Sequence, residues 1–298
     1  MPIPLEVVNK YRLAGAIARE ARIYGAGLIS ENASLLEVAN TVEAFILSKG
    51  ARPAFPVNIA VNEVAAHFTP RHDEPDLRFR TGDVVKLDVG VQVDGYIGDT
   101  AMTVEIGTGK WTAMKEAVEE ALRVAIGMVR PGVDLSLVGA AIETTIAARG
   151  FKAVENLTGH SLERLVLHAG ISVPNVKEKT AGTVREGDVL AIEPFATNGM
   201  GRVDGKKNSS IYRFVRKRFA RTSEARHLLK EIEASFTALP FCERWCTRYV
   251  LEPAAALENL VRCGAISYYP TLREVDDGIV TQAEHTVIVG PDGATVTT

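Results

Sequence analysis

Two acidic residues stand at matching places in two similar stretches of the chain. Residues 80–88 read R-T-G-D-V-V-K-L-D and residues 185–193 read R-E-G-D-V-L-A-I-E, so Asp88 and Glu193 each follow an apolar run. A carboxylate that ends an apolar strand needs a partner or a metal ion, because an unpaired buried charge is strongly unfavourable. Either acid alone could be a surface charge or a turn residue, but their repetition favours a shared metal site.

Three further residues can complete such a site. Asp99 follows Asp88 by eleven residues, and a turn at residues 94–95 (D-G) between two strands would place the two acids side by side. His160 lies in the sequence T-G-H before an apolar run, and Glu284 precedes the strand-like sequence T-V-I-V. Four carboxylates and one imidazole form an oxygen-rich site that suits two divalent ions of cobalt, manganese, iron or zinc, which together activate a water molecule.

The elements that must hold these residues repeat at an offset of about 100 residues. The two segments upstream of the acids match at several positions: Val38, Glu43, Ile46 and Gly50 against Val138, Glu143, Ile146 and Gly150. Apolar residues at helical spacing predict two helices in each half, with bounds near 9–29, 34–50, 111–129 and 134–149. Gly-Asp turns then lead into strands 84–89 and 189–193. The repeat predicts a single pseudo-symmetric α+β domain over residues 1–298, with a central antiparallel sheet and flanking helices.

Residues 200–263 interrupt this repeat. Helical spacing over 223–236 and 253–261 predicts a small helical subdomain inserted into the second half. Within the insert, residues 206–221 are strongly basic, and 213–221 read R-F-V-R-K-R-F-A-R. Basic residues interleaved with aromatic ones are typical of an RNA contact, although the same pattern also fits a solvated face whose aromatic rings pack beneath it.

The bulk composition excludes several classes of protein. A formal net charge of −3 does not require nucleic acid or an anionic membrane as the main partner. No run of about 18 apolar residues occurs, so no membrane span is expected. The first 30 residues contain no uninterrupted apolar segment, so no signal peptide is expected either. Three cysteines form an odd and sparse set, which favours free thiols in a reducing, cytoplasmic compartment.

The motifs around the candidate ligands resemble those of the type 2 methionine aminopeptidases. The resemblance covers essentially the whole chain in the right order, through A-A-H-F-T-P (65–70), L-D-V-G (87–90), D-T-A-M-T (99–103), T-G-H-S-L (158–162), H-A-G-I-S-V-P-N-V (168–176), I-E-P-F (192–195), L-P-F-C-E-R-W (239–245) and A-E-H-T-V-I-V (283–289). It implies the pita-bread fold, in agreement with the repeat, and removal of the initiator methionine from nascent proteins whose second residue is small. Without a polybasic N-terminal extension, the chain looks like an archaeal member.

The resemblance also implies individual roles. The five metal ligands would be Asp88, Asp99, His160, Glu193 and Glu284. Glu193 would also shuttle a proton between the attacking water and the leaving amine, while His67 and His168 would contact the substrate and stabilise the tetrahedral intermediate. The methionine side chain would lie against Phe55, Leu167, Phe195 and Tyr269. Since the chain begins Met1-Pro2, it would itself be a substrate of this activity.

Two alternatives share the fold. A prolidase or aminopeptidase P would have the same five ligands, but such enzymes usually carry an additional N-terminal domain, for which no room exists before Asp88. A non-enzymatic relative that binds ribosomes or RNA would retain the fold and lose the site, whereas all five ligand positions here hold competent residues. We expect a monomer that contacts the ribosome transiently through residues 206–221.

Overall fold

The computed structural model describes residues 3–206 and 210–298. The helices are α1 (Leu5–Leu28), α2 (Leu35–Ser48), α3 (Thr112–Met128), α4 (Leu135–Ala148), α5 (Ser223–Phe236), α6 (Glu243–Cys246) and α7 (Pro253–Arg262). The strands of the first half are β1 (Arg52–Pro53), β2 (Asn58–Val61), β3 (Val64–Ala66), β4 (Val84–Val93) and β5 (Tyr96–Glu105). Those that follow are β6 (Lys152–Ala153), β7 (Thr158–Ser161), β8 (Ser172–Pro174), β9 (Val189–Ile192), β10 (Phe195–Thr197), β11 (Val203–Lys206), β12 (Ile211–Phe214), β13 (Phe241–Cys242), β14 (Ile266–Tyr268), β15 (Thr271–Glu274), β16 (Val280–Gln282), β17 (His285–Val289) and β18 (Ala294–Val296).

Each half of the chain begins with two helices, as the apolar periodicity predicts. The second helix of each half is capped in the same way, because the Ser34 hydroxyl accepts a hydrogen bond from the Glu37 amide and the Asp134 carboxylate accepts one from the Ser136 amide. Two equivalent apolar clusters form the core, and in each cluster the two helices pack on strands of their own half. The predicted pseudo-symmetric α+β fold is therefore confirmed.

The first half contributes a four-stranded antiparallel sheet in which β4 pairs with β1, β2 and β5. The turn between β4 and β5 falls on Asp94 and Gly95, both with positive φ, as its residue types predict. The predicted strand 84–89 was too short, because β4 continues to Val93 along its whole pairing with β5. Asp88 consequently lies within the strand rather than at its end.

The second half contributes a five-stranded sheet in the order β18-β17-β9-β7-β8. It joins the first sheet where the Glu284 amide donates to the Ala101 carbonyl at 3.1 Å and the Ala101 amide donates to the Glu284 carbonyl at 3.4 Å. Helix α1 packs closely on both sides of this junction: a Cβ on Gly98 would lie 2.6 Å from the backbone of Gly15, and a Cβ on Gly15 would lie 2.4 Å from the carbonyl oxygen of Thr297. This junction brings the strands of both halves to one site.

The segment predicted as an insert, residues 200–263, contains α5, α6, α7, β12 and β13. Its sheet, in the order β13-β12-β14, and its apolar cluster both continue beyond residue 263, because β14 and Ala265 belong to them. Strand β11, which the sequence analysis included in this segment, instead pairs with β15 and through it with β3 of the first half. Arg244 connects the segment to α2 by a buried ion pair with Glu43, which also accepts a hydrogen bond from the Trp245 indole at 2.8 Å. The division into a catalytic domain and a subdomain stays a prediction.

Two predictions from the sequence involve residues outside the described ranges. Met1 and Pro2, the expected self-cleavage site, lie outside them, and so do residues 207–209 of the basic segment. Within residues 3–206 and 210–298, no helix is both long and apolar enough to cross a lipid bilayer.

Candidate metal centre and substrate cleft

Five predicted ligands converge where the two sheets join. Asp88 and Asp99 come from the β4–β5 hairpin, His160 from β7, Glu193 from the end of β9, and Glu284 from the residue before β17. In the β4–β5 register Asp88 faces Ala101 and Gly90 faces Asp99, which makes the two acids diagonal neighbours on one face of the sheet. All five residues line a single cavity.

The distances within this group are those of potential ligands to shared ions. The His160 Nε2 atom lies 3.7 Å from Asp99 Oδ2 and 3.6 Å from Glu193 Oε1. One potential ligand atom each from Asp99, His160 and Glu284 lies within 4.8 Å of the other two. These side chains are therefore close enough for ions to hold them together.

The electrostatics of the cluster favour bound cations. Burial raises the pKa of Asp88 to about 7, and burial together with the neighbouring carboxylates raises the pKa of Asp99, Glu193 and Glu284. Among the described residues, three buried oxygens of the cluster have no hydrogen-bond partner: Asp88 Oδ1, Asp99 Oδ1 and Glu284 Oε2. Since buried acceptors are normally paired, four carboxylates and an imidazole in this arrangement fit divalent metal ions.

Hydrogen bonds from neighbouring residues support the backbone of Glu284 and the carboxylate of Glu193. The Thr100 hydroxyl donates to the backbone carbonyl of Glu284 at 2.8 Å and accepts a hydrogen bond from the Arg22 guanidinium at 2.8 Å. Arg22 therefore stabilises, through Thr100, the junction between the two sheets. The Gln282 amide donates to Glu193 Oε2 at 3.4 Å. The sequence analysis missed these supporting residues, because they become neighbours of the ligands only across strands far apart in the chain.

His67, His168 and Tyr269 form an aromatic wall beside the carboxylates. The His168 ring lies 4.4 Å from the His160 ring and 6.0 Å from the Tyr269 ring, and Tyr269 lies 5.4 Å from His67, all between centroids. Burial and the nearby His168 lower the pKa of His67 to about 4, and burial lowers the pKa of His168. Both predicted substrate-contacting histidines are consequently neutral at pH 7.

The position of the proton on His67 follows from its surroundings. His67 Nδ1 lies 3.3 Å from the Pro270 carbonyl oxygen, which can only accept a hydrogen bond, so Nδ1 carries the proton. The Nε2 atom of the neutral ring is then an acceptor. His67 also has φ of 60°, a left-handed conformation that few non-glycine residues adopt and that is often found at functional sites.

Three of the four predicted methionine-pocket residues, Phe55, Leu167 and Tyr269, line the cavity. The prediction for Phe195 does not agree with the structure. Strand β10 is paired between β6 and β16, and the Phe195 side chain is buried in a separate apolar cluster with Val154, Val203 and Val280. Phe195 therefore supports the core beside Glu193.

Four residues that the sequence analysis did not single out also line the cavity: Asn58, Ala66, Ile211 and Pro240. Ala66 adjoins His67, and Pro240 lies in the quoted motif L-P-F-C-E-R-W, so both had a local signal. Asn58 faces Asp88 across β2 and β4, which only the strand register reveals. Ile211 comes from the inserted segment, whose placement over the cavity is a tertiary property.

Comparisons with known proteins agree with this geometry. Residues 9–290 match Metallopeptidase family M24. The chain is 44% identical to a methionine aminopeptidase of Methanothermobacter thermautotrophicus over 298 residues, which cover 99% of both chains. It is 46% identical to a methionine aminopeptidase of Pyrococcus abyssi over 295 residues, which cover 98% of this chain and 99% of the relative.

A solved structure confirms the fold independently. The structure of a methionine aminopeptidase from Thermotoga maritima superposes with a TM-score of 0.73 at 23% identity and covers 99% of this chain and 97% of that one. The match at the level of fold extends over nearly the full length of both proteins. Taken with the family match and the archaeal relatives, it shows that the chain belongs to metallopeptidase family M24, among the methionine aminopeptidases.

Proposed function

We propose that the metal cofactor of this aminopeptidase is a pair of divalent ions held by Asp88, Asp99, His160, Glu193 and Glu284. The observation that carries this proposal is the set of three buried carboxylate oxygens without a partner beside His160. Asp99 and Glu284 come from the two sheets that meet there and, with His160, would hold the ions at the junction. When bound, such ions activate a water molecule and polarise the scissile carbonyl.

The side chains around this centre have the remaining roles in catalysis and substrate binding. His168 is neutral and stands next to His160, so an N–H of its ring can donate to the oxygen on which negative charge develops. Glu193 lines the cavity, and its carboxylate, which accepts a hydrogen bond from the Gln282 amide at 3.4 Å, suits the transfer of a proton from the attacking water to the leaving amine. His67 presents an acceptor at Nε2 and therefore suits an N–H group of the substrate.

The methionine side chain enters between Phe55, Leu167 and Tyr269. Phe55 reaches this position because β4 carries a glycine beneath it: a Cβ on Gly90 would lie 2.1 Å from the Phe55 ring. An unbranched and polarisable thioether fits such an aromatic and aliphatic pocket. The substrates are nascent chains with a free N-terminal methionine and a small second residue.

The basic segment 206–221 is the surface that we propose for a transient contact with ribosomal RNA in the cytoplasm, where the enzyme acts as a monomer. Phe219 is 79% exposed, and the Arg226 guanidinium lies 5.5 Å from its ring centroid. An exposed ring among cations suits stacking on a base. Replacing Arg216 and Arg218 with glutamate should weaken salt-sensitive association with ribosomes in a sedimentation assay, while replacing Arg149 and Arg262 in the same way serves as the control.

The metal and substrate proposals are tested in one experiment. Protein stripped with a chelator is reconstituted with Co, Mn, Fe or Zn and supplied with Met-Ala-Ser or Ala-Pro-Ala. We expect release of methionine to return as about two equivalents of metal bind, and the proline peptide to stay intact. Full activity at one equivalent would contradict the two-ion site, and cleavage of Ala-Pro-Ala would instead favour a prolidase or aminopeptidase P specificity.

A further inference from the structure

Arg213 lies at the rim of the substrate cleft. It occupies the third position of β12, two residues after Ile211, so both side chains lie on the same face of the strand. Ile211 lines the cavity, and its carbonyl accepts a hydrogen bond from the Tyr269 amide at 2.9 Å. Arg213 is thus the next side chain outward from the cavity on this face.

Tyr269 holds Arg213 in place. The Arg213 guanidinium carbon lies 5.8 Å from the Tyr269 ring centroid, a distance that allows a cation–π contact. An arginine packed on an aromatic ring has lost part of its rotamer freedom and can therefore bind an anion at a smaller entropic cost.

The charge of Arg213 is not neutralised by a carboxylate of the described chain. It forms no ion pair with any aspartate or glutamate of residues 3–206 and 210–298, whereas Lys217 further along the segment pairs with Glu233 at 3.0 Å. Arg213 is exposed, so a group on an incoming peptide can reach it. Arg213 therefore places a positive charge without an ion-pair partner at the rim of the substrate cleft, where Tyr269 restricts its movement.

We infer that Arg213 is a specificity-determining residue that binds an acidic side chain of the substrate at its third or fourth residue. This inference rests on the proposed function. The first residue occupies the pocket of Phe55 and Leu167, and the bond after it lies beside His168. The Arg213 guanidinium is at most about 12 Å from the His168 ring. Because an extended chain advances about 3.3–3.6 Å per residue, the third or fourth residue of the substrate can reach Arg213.

The test compares kcat/KM for Met-Ala-Glu-Glu-Ser, Met-Ala-Gln-Gln-Ser and Met-Ala-Lys-Lys-Ser on the metal-loaded enzyme at low ionic strength. We expect the acidic peptide to exceed the lysine peptide by about threefold to tenfold, mainly through KM, because an exposed ion pair is weakly favourable and two like charges are unfavourable by a similar amount. Added salt should reduce the ratio. Arg213→Gln should bring it close to one, and Arg213→Glu should reverse it.

Arg262→Gln is the matched control, because Arg262 pairs with Glu258 on the exposed face of α7 and the substitution removes the same charge. This variant should keep the preference of the unmodified enzyme. Equal kcat/KM for the acidic and lysine peptides, with normal cleavage of the glutamine peptide, would overturn the inference on Arg213 alone. Failure of the metal-loaded enzyme to release methionine from all three peptides would overturn both this inference and the proposed function.

Discussion

Asp99 and Thr286 hold each other through two reciprocal hydrogen bonds. The Asp99 amide donates to the Thr286 hydroxyl at 2.8 Å, and that hydroxyl donates to the Asp99 carbonyl at 2.8 Å. The two residues are 187 positions apart in sequence and belong to different halves of the repeat. The pair therefore fixes the backbone of one proposed ligand to the strand that follows Glu284.

Replacing Thr286 with valine should weaken metal binding. The substitution keeps the shape of the side chain but leaves a buried N–H and a buried C=O of Asp99 without their partner, which costs about 1–3 kcal/mol per unsatisfied group. We expect metal affinity to fall by about 10–100-fold, as for other residues that orient ligands. Titration with manganese and thermal unfolding would measure both effects, and Thr144→Val on the exposed side of α4 is the control.

Replacing Glu284 with alanine should abolish metal retention at the proposed dinuclear site. Glu284 is 2% exposed and one of its oxygens has no partner, so its carboxylate would be a ligand of the ions. Because the metal-free variant also loses a buried carboxylate whose pKa is raised, it should fold at least as stably as stripped unmodified protein near pH 8. Full metal content and full rate in the alanine variant would contradict the ligand assignment.

Bound metal should stabilise the protein more at pH 8 than at pH 5. A carboxyl whose pKa is raised on folding contributes its stability fully below its ordinary pKa and loses it as the pH rises through the folded value, which is about 7 for Asp88. Stripped protein therefore loses this contribution between pH 5 and pH 8, whereas bound metal holds the same carboxyls in their deprotonated form. Buried histidines with a lowered pKa, such as His67, act in the opposite direction but in both forms of the protein. The difference in melting temperature between metal-loaded and stripped protein should consequently widen over this interval, and an equal difference at both pH values would contradict the prediction.

Replacing His168 with alanine should lower kcat by about 10²-fold or more, the usual effect of removing one donor to a developing oxyanion. His168 contacts His160 and Tyr269 and is not one of the proposed ligands, so metal content should stay normal. The exposed His227 on α5 offers a control substitution that should leave both quantities unchanged. An unaltered kcat in the His168 variant would refute the proposed donor role.

Much of this protein can be predicted from local signals in its sequence. Apolar periodicity and capping residues set the four repeated helices, because a helix is stabilised by contacts within a few residues of each position. The D-G pair at 94–95 specifies a tight hairpin, and that hairpin alone makes neighbours of Asp88 and Asp99. The repeat then identifies Glu193 as the counterpart of Asp88, and the surrounding motifs identify the family.

Other features depend on contacts between residues far apart in the chain. The close approach of Gly15 to Thr297 and the pairing of Ala101 with Glu284 join the two halves beside the proposed metal site. Phe195 was wrongly placed in the substrate pocket, because its motif fixes its position beside Glu193 but the packing of β10 decides which way the ring faces. The sequence by itself determines which residues can bind metal and substrate, through their types and local spacing. Only the tertiary structure decides which of them share a cavity, because strand pairing across the junction sets those distances.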